Sequence, residues 1–197
     1  MAKGSLFIIS GPSGTGKGTV CKELVKHENI FLSISATTRN RRVGETEGET
    51  YFYTSKEKFE EMIRNDMMLE YAVYGGNYYG TPKEAVENML KEGKNVILEI
   101  EVQGALKVKE KMPEAILIFI VPPSVKVLRE RLLSRGREDM AEIEKRIETA
   151  KWEFSQSPRY NYVLVNDKLE DCVAATLEII KAANERQNNI ERLMSEI

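Results

Sequence analysis

Cysteine is nearly absent from this 197-residue chain: Cys21 and Cys172 are the only two, and they are far apart. Two such residues build no disulfide framework, so a reducing compartment, the cytoplasm, is expected. Histidine is scarcer still, with His27 alone. A zinc site of the usual ligands needs several His or Cys side chains, so none is expected, and His27 reads as a surface residue. No apolar run approaches the roughly 18 residues that cross a bilayer. The run Leu6-Phe7-Ile8-Ile9 is also too short for a secretory leader, so no membrane association is expected. Neither charge dominates: 29 Lys and Arg stand against 31 Asp and Glu, a net charge of −2. Wholesale nucleic-acid binding calls for a basic domain and is not expected. What is left, 42% hydrophobic and 30% charged residues, is an ordinary globular composition, long enough to bury a real core.

Continuous apolar runs alternate with helical patterns, which predicts an α/β fold with a parallel sheet flanked by helices. Strands are expected at Leu6–Ser10, Val96–Val102, Ile116–Val121 and Tyr162–Val165, with a shorter one at Phe31–Ser35. Thr81-Pro82-Lys83-Glu84 predicts a helix start with Thr81 as N-cap, and Gly93 its stop. Asp139 with Glu142, and Asp167 with Glu170, repeat a carboxylate-capped start. Residues 35–81 differ in character: Tyr51 and Tyr53 alternate with Phe52, and Phe59, Met62 and Ile63 follow at helical spacing. Gly75-Gly76-Asn77 then marks a turn between aromatic strands. This stretch is expected to be a small α+β insertion, dividing a core of residues 1–34 and 82–197.

Directly after the first apolar run comes Gly11-Pro12-Ser13-Gly14-Thr15-Gly16-Lys17-Gly18-Thr19, opening a helical pattern. Glycines at this spacing let backbone N–H groups turn inward as a nest for phosphate oxygens. The helix N-terminus adds its partial positive charge, and Lys17 can bridge the β- and γ-phosphates. The Ser or Thr that normally follows the lysine, and ligates magnesium, is Gly18 here, with Thr19 one place later. By itself the loop specifies a nucleoside triphosphate such as ATP and no particular reaction.

Other clusters narrow the choice. Arg39, Arg41 and Arg42 fall close to Tyr51 in the insertion, and arginine forks suit phosphate oxygens. Glu99 and Glu101 stand at i and i+2 after Val96-Ile97-Leu98. That spacing predicts two carboxylates on one face at a strand's carboxyl end, the edge at which open α/β sheets bind ligands. Pro122-Pro123-Ser124 is followed by Arg129, Arg131, Arg135 and Arg137, with Arg146 on the next helical pattern. Arg129 and Arg131, surrounded by glutamates, are expected to form intrahelical ion pairs.

Several segments taken together resemble the guanylate kinases. They are the phosphate loop, Ser35-Ala36-Thr37-Thr38-Arg39-Asn40-Arg41-Arg42-Val43-Gly44-Glu45, Gly76-Asn77-Tyr78-Tyr79-Gly80, Leu98-Glu99-Ile100-Glu101-Val102-Gln103-Gly104, Pro122-Pro123-Ser124 and Val165-Asn166-Asp167. The resemblance spans essentially the whole chain and implies a P-loop NTPase core, a GMP-binding insertion and a helical lid at about residues 124–155. It implies transfer of a phosphoryl group from ATP to GMP, with Mg2+ as cofactor. By resemblance Arg39, Arg42, Tyr51 and Tyr79 meet the GMP phosphate, while Ser35, Glu70, Thr81 and Glu101 meet the guanine. Gly11 to Thr19 and Asn166 fall to ATP, and Lys17, Arg39, Arg135 and Arg146 to the phosphates in transfer. Glu99 and Thr19 lie by the magnesium. Two other readings stay open: a related kinase with another acceptor, and a guanylate-kinase-like module that binds phosphorylated peptides.

Overall fold

In the computed structural model, which describes residues 3–134 and 140–196, the first apolar run is strand β1 (Leu6–Ser10), buried along its whole length. A strand with no polar face has to be covered on both sides, and the chain achieves this by alternating strands with helices. There follow α1 (Lys17–Leu24), β2 (Ile30–Leu32), β3 (Ala36–Thr37), β4 (Phe52–Tyr53), α2 (Lys56–Arg64), β5 (Met68–Tyr74) and β6 (Asn77–Pro82). The second half runs α3 (Lys83–Lys91), β7 (Asn95–Glu99), α4 (Val102–Lys111), β8 (Ile116–Val121), α5 (Val125–Ser134), α6 (Met140–Ser155), β9 (Tyr162–Val165) and α7 (Leu169–Ser195).

Strands β2, β7, β1, β8 and β9 lie side by side in that order, every neighbouring pair parallel. Alternate side chains along β1 point to opposite faces. Leu6 and Ile8 pack with Val86, Leu90, Val102 and Ala105 of α3 and α4. Phe7 and Ile9 pack with Val20 and Leu24 of α1 and with Cys172 and Ile180 of α7. Cys21 and Cys172, so distant in sequence, meet in this second layer as buried free thiols. Burial pushes the Cys21 thiol well above its ordinary value. This is the α/β architecture that the alternating pattern predicts. No helix among the described residues is long and apolar enough to cross a membrane.

Residues 36–82 carry a second sheet of four strands, in the order β4, β3, β6, β5. Strands β3 and β4 are parallel, and the β3–β6 and β5–β6 pairs are antiparallel. Gly75 and Gly76 make the turn between Tyr74 and Asn77 with φ of 56° and 77°. A tight two-residue hairpin asks for such positive φ at both positions, and glycine supplies it without strain. Helix α2 covers this sheet with Phe59, stacked on Tyr78 at 5.1 Å between ring centroids.

Several element boundaries differ from expectation. Strand β7 stops at Glu99, Glu101 is the N-cap residue of α4, and Val102 is already helical. An apolar run cannot show where a buried strand hands over to a buried helix, because both demand the same side chains. Glu99 and Glu101 are therefore not partners on one strand face. Thr81 lies in β6 and does not cap α3, whose N-cap is Pro82 with no side-chain bond. The Thr81 hydroxyl is drawn away by a buried carboxylate, Glu70 Oε1, at 2.8 Å. Asp167 likewise does not cap α7, which starts from Lys168; Asp139 lies outside the described residues. Arg129 pairs with Glu144 of α6, not within its own helix. Arg131 donates to the Asn166 carbonyl at 2.9 Å. Arg129 reaches Glu144 because α5 and α6 share an apolar seam of Leu128, Leu132, Ile143 and Ile147.

Phe119 of β8 is fully buried, with its ring 4.7 Å from Tyr160 and 6.5 Å from Phe154, both edge-on. Phe119→Ala is expected to lower the free energy of unfolding by about 3–5 kcal/mol. Urea denaturation followed by circular dichroism measures it, and a loss below about 1 kcal/mol would show that the sheet does not depend on this ring.

Candidate active site

Strand β1 delivers the chain into the glycine loop at the carboxyl edge of the sheet. At Gly11, φ is 138°, and a Cβ would stand 2.3 Å from the Ile120 carbonyl oxygen of β8. No side chain fits there, so the loop lies directly on the neighbouring strand. Gly16 is the left-handed N-cap of α1, with φ of 89°. The loop is stapled from inside, as the Thr15 hydroxyl donates to the Pro12 carbonyl at 2.9 Å. It is stapled from outside by Asn166, whose buried side-chain amide donates to the Thr15 carbonyl at 2.8 Å. Asn166 therefore shapes the loop through its side chain. The Lys17 ammonium donates to the carbonyls of Gly11 at 2.6 Å and Pro12 at 2.9 Å, which holds it over the loop.

Helix α6 reaches the same place. Arg146 Nη1 donates to Ser13 Oγ at 2.7 Å, across 133 residues of sequence. Arg135 lies outside the described residues. Thr19 is exposed on the first turn of α1. A Cβ on Gly18 would stand 3.2 Å from Glu99 Oε1 and 3.4 Å from Oε2, so the Glu99 carboxylate occupies the space beside the bare residue. Desolvation raises the Glu99 carboxyl above its ordinary value, and Lys17 and Lys22 oppose that shift.

Next to this seam opens a cavity of about 280 Å³ lined by Ser35, Tyr51, Glu70, Tyr79, Glu99 and Glu101. Tyr51 and Tyr79 meet edge-on at 6.0 Å, and the Arg39 guanidinium lies 5.5 Å from the Tyr51 ring centre. Glu70 is buried, which pushes its carboxyl up, while the Thr81 hydroxyl bond pulls it down. Thr81 itself, 1% exposed, stands behind Glu70 and does not line the cavity. The Arg42 side chain is exposed outside it. A larger hollow of about 830 Å³ lies at the other end of the sheet, near Leu6, Ile116 and Tyr162, and touches none of the candidate residues.

Sequence reasoning assigned no role to Glu45, and the insertion is organised around it. Its carboxylate accepts two bonds from Arg39, at 2.7 and 3.0 Å. The Tyr53 hydroxyl and the Arg42 backbone N–H each add a bond at 2.8 Å. These donors, Arg39 first among them, hold the Glu45 carboxyl down at about 2. An acid amid three arginines is a visible signal, but in an aperiodic turn the spacing does not say which arginine it meets.

Comparison with known proteins places this geometry. A family model described as guanylate kinase matches residues 3–183. The guanylate kinase of Clostridium perfringens (strain 13 / Type A) is 50% identical over 195 residues, covering 98% of this chain and 90% of that one. That of Oceanobacillus iheyensis is 48% identical over 196 residues, covering 99% and 95%. The crystal structure of guanylate kinase from Anaplasma phagocytophilum aligns with a TM-score of 0.73 at 34% identity, covering 92% of this chain and 86% of that one. The chain belongs to the guanylate kinase family. A gluconokinase from Sinorhizobium meliloti 1021, at 14% identity and a TM-score of 0.50, shares the fold alone.

Two carboxylates of this guanylate kinase family member shift in opposite directions, with opposite consequences. Glu45 titrates at about 2, below its ordinary 4.5, so its stabilising contribution is present above 4.5 and is lost as pH falls through 2. Glu70 titrates above its ordinary 4.5, so it disfavours folding increasingly as pH climbs from 4.5 through the raised value. Glu70→Gln is therefore expected to raise the melting temperature at neutral pH, with the gain vanishing below 4.5. Thermal melts of both proteins across that range provide the check, and a variant that melts lower at pH 7 contradicts it.

Proposed function

We propose that this chain transfers the γ-phosphoryl group of ATP to GMP, giving ADP and GDP. One observation carries the proposal: Glu99 lies 3.2 Å from where a Gly18 side chain would begin and also lines the cavity of Glu70, Tyr51 and Tyr79. The phosphate loop and the cavity are therefore neighbours, as direct transfer between two bound nucleotides requires. On this view residues 35–81 bind the acceptor, residues 1–34 and 82–197 form the core, and α5 and α6 act as a lid that excludes water.

The acceptor base follows from hydrogen-bond chemistry. Guanine donates from N1 and from its 2-amino group, and a carboxylate accepts from both. Adenine turns a lone pair to the same place and is repelled. Glu70, with Glu101 and Ser35 in the same cavity, supports guanine. A hydrogen bond to such a charged group contributes about 1.5–3 kcal/mol. Leaving it unmade rejects the wrong base by roughly 10⁴-fold. Thr81 acts behind Glu70 as the donor that orients it.

For the acceptor phosphate, Tyr51, Tyr79, Arg39 and Arg42 supply phenol and guanidinium donors. The two-fold bond from Arg39 to Glu45 orders the guanidinium in advance, so less side-chain freedom is lost on binding. The second ionisation of a phosphate monoester falls near about 6, so the acceptor is already an anion at neutral pH. No general base is needed. What remains is alignment and charge: Lys17 on the donor, Arg39 and Arg42 on the acceptor, and Arg146 between them, with Arg135 assigned alongside from the resemblance.

Magnesium fits this site as an ion brought in by the triphosphate. Among the described residues no cluster of three or more His, Cys, Asp and Glu side chains could hold a metal ion by itself. Thr19 and Glu99 are the donors that would hold it, since Gly18 has no hydroxyl and Glu99 fills the space beside it. Bound there, Mg2+ would neutralise charge on the β- and γ-oxygens. A cytoplasmic location suits the two buried free thiols.

A coupled ADP-release assay over a panel of nucleoside monophosphates tests the acceptor. GMP is expected to turn over far faster than AMP, and equal rates would remove the guanine assignment. Lys17→Met is expected to keep the fold and lose roughly 10²–10³-fold in turnover. Normal turnover by that variant would refute the role given to Lys17.

A further inference from the structure

Gly104 is the third residue of α4 and is buried. Glycine inside a helix is a poor choice, since alanine holds helical geometry better. Backbone conformation does not require it, because Gly104 is not among the residues with positive φ. Space does. A Cβ built on Gly104 would stand 2.8 Å from Glu70 Oε2, 3.3 Å from its Cδ and 3.5 Å from its Cγ. Those are the three nearest atoms, and all belong to one side chain. The other oxygen of that carboxylate, Oε1, accepts from the Thr81 hydroxyl at 2.8 Å. The carboxylate is thus held between a hydroxyl on β6 and the bare first turn of α4, with its position set from both sides.

We propose that Gly104 is a specificity-positioning residue: the missing side chain leaves the room in which Glu70 presents its carboxylate to the acceptor base. This rests on Glu70 being the carboxylate that reads guanine. Gly104 does not touch the base and acts through Glu70. A methyl group at 104 meets the far end of a flexible side chain, so the helix accepts it and the carboxylate gives way. Tethered to Thr81 through Oε1, the carboxylate has to swing about that bond or break it. Either movement displaces the acceptors that guanine N1 and the 2-amino group require.

Gly104→Ala is accordingly expected to melt at or above the wild-type temperature while KM for GMP rises about 10- to 100-fold. KM for ATP stays unchanged, and kcat at saturating GMP stays within a few-fold. The preference for GMP over IMP, which lacks the 2-amino group, falls with it. In a Glu70→Ala background the methyl meets no carboxylate, so Gly104→Ala adds nothing further to KM for GMP. The role of Gly104 is overturned by an unchanged KM and GMP-to-IMP ratio, by a markedly lower melting temperature, or by an additive effect in the Glu70→Ala background. If Glu70→Ala alone changes neither KM for GMP nor that ratio, the guanine-reading role of Glu70 fails and takes this proposal with it. If Glu70→Ala changes both and Gly104→Ala changes neither, only the proposal about Gly104 fails.

Discussion

Strand β1 is hydrogen-bonded to β7 on one edge and β8 on the other, and helices press on both of its faces. A strand enclosed on four sides is open only at its ends, and its carboxyl end carries the glycine loop. Everything chemical in this protein is laid out from that point. The glycine loop can lie on Ile120 because Gly11 has no side chain. The start of α1 then aims its first amides and the Lys17 ammonium into the space beyond the sheet. Glu99, at the carboxyl end of the adjacent strand, borders the same space. The parallel topology thus brings the donors of the loop and an acid from a distant part of the sequence to a single rim.

The insertion faces a different problem. On the function proposed above, it has to hold the Arg39 guanidinium ready for the acceptor phosphate. Glu45 does this by taking both forks of Arg39 and the backbone of Arg42, and by accepting from Tyr53. An arginine tied in this way keeps its charge and loses its wandering. The Glu70 end, proposed to read the base, works by the opposite device, a carboxylate placed where burial makes its charge costly. Such a group is relieved by a ligand that brings hydrogen-bond donors. In the proposed site, stability given up at Glu70 and order gained at Glu45 are two contributions to holding one acceptor.

Much of this was legible from residues alone. The run from Leu6 to Ser10 followed by Gly11 to Lys17 has one physical reading, because an apolar strand, a glycine nest and a lysine at a helix start have few other uses together. The Gly75-Gly76 turn and the Phe59 helix were likewise plain, since each is a local pattern satisfied by local geometry. Thr81 was misread for an equally physical reason. Its neighbours spell a helix cap, but the choice between capping α3 and bonding Glu70 depends on a carboxylate eleven residues away. Glu99 and Glu101 looked like strand partners because the period of a strand was carried past the point where α4 begins.

Composition, spacing and order along the chain determined the fold class, the phosphate loop, the candidate acids and arginines, and the family resemblance. Each of these is written in neighbouring residues or in the sequence of motifs. The tertiary structure alone decided that Arg146 meets Ser13, that Asn166 holds Thr15, that Glu45 organises Arg39, and that Gly104 makes room for Glu70. All but the Arg39–Glu45 pair join residues far apart in sequence. The packing of strands and helices, which settles which faces meet, brings those distant residues into contact.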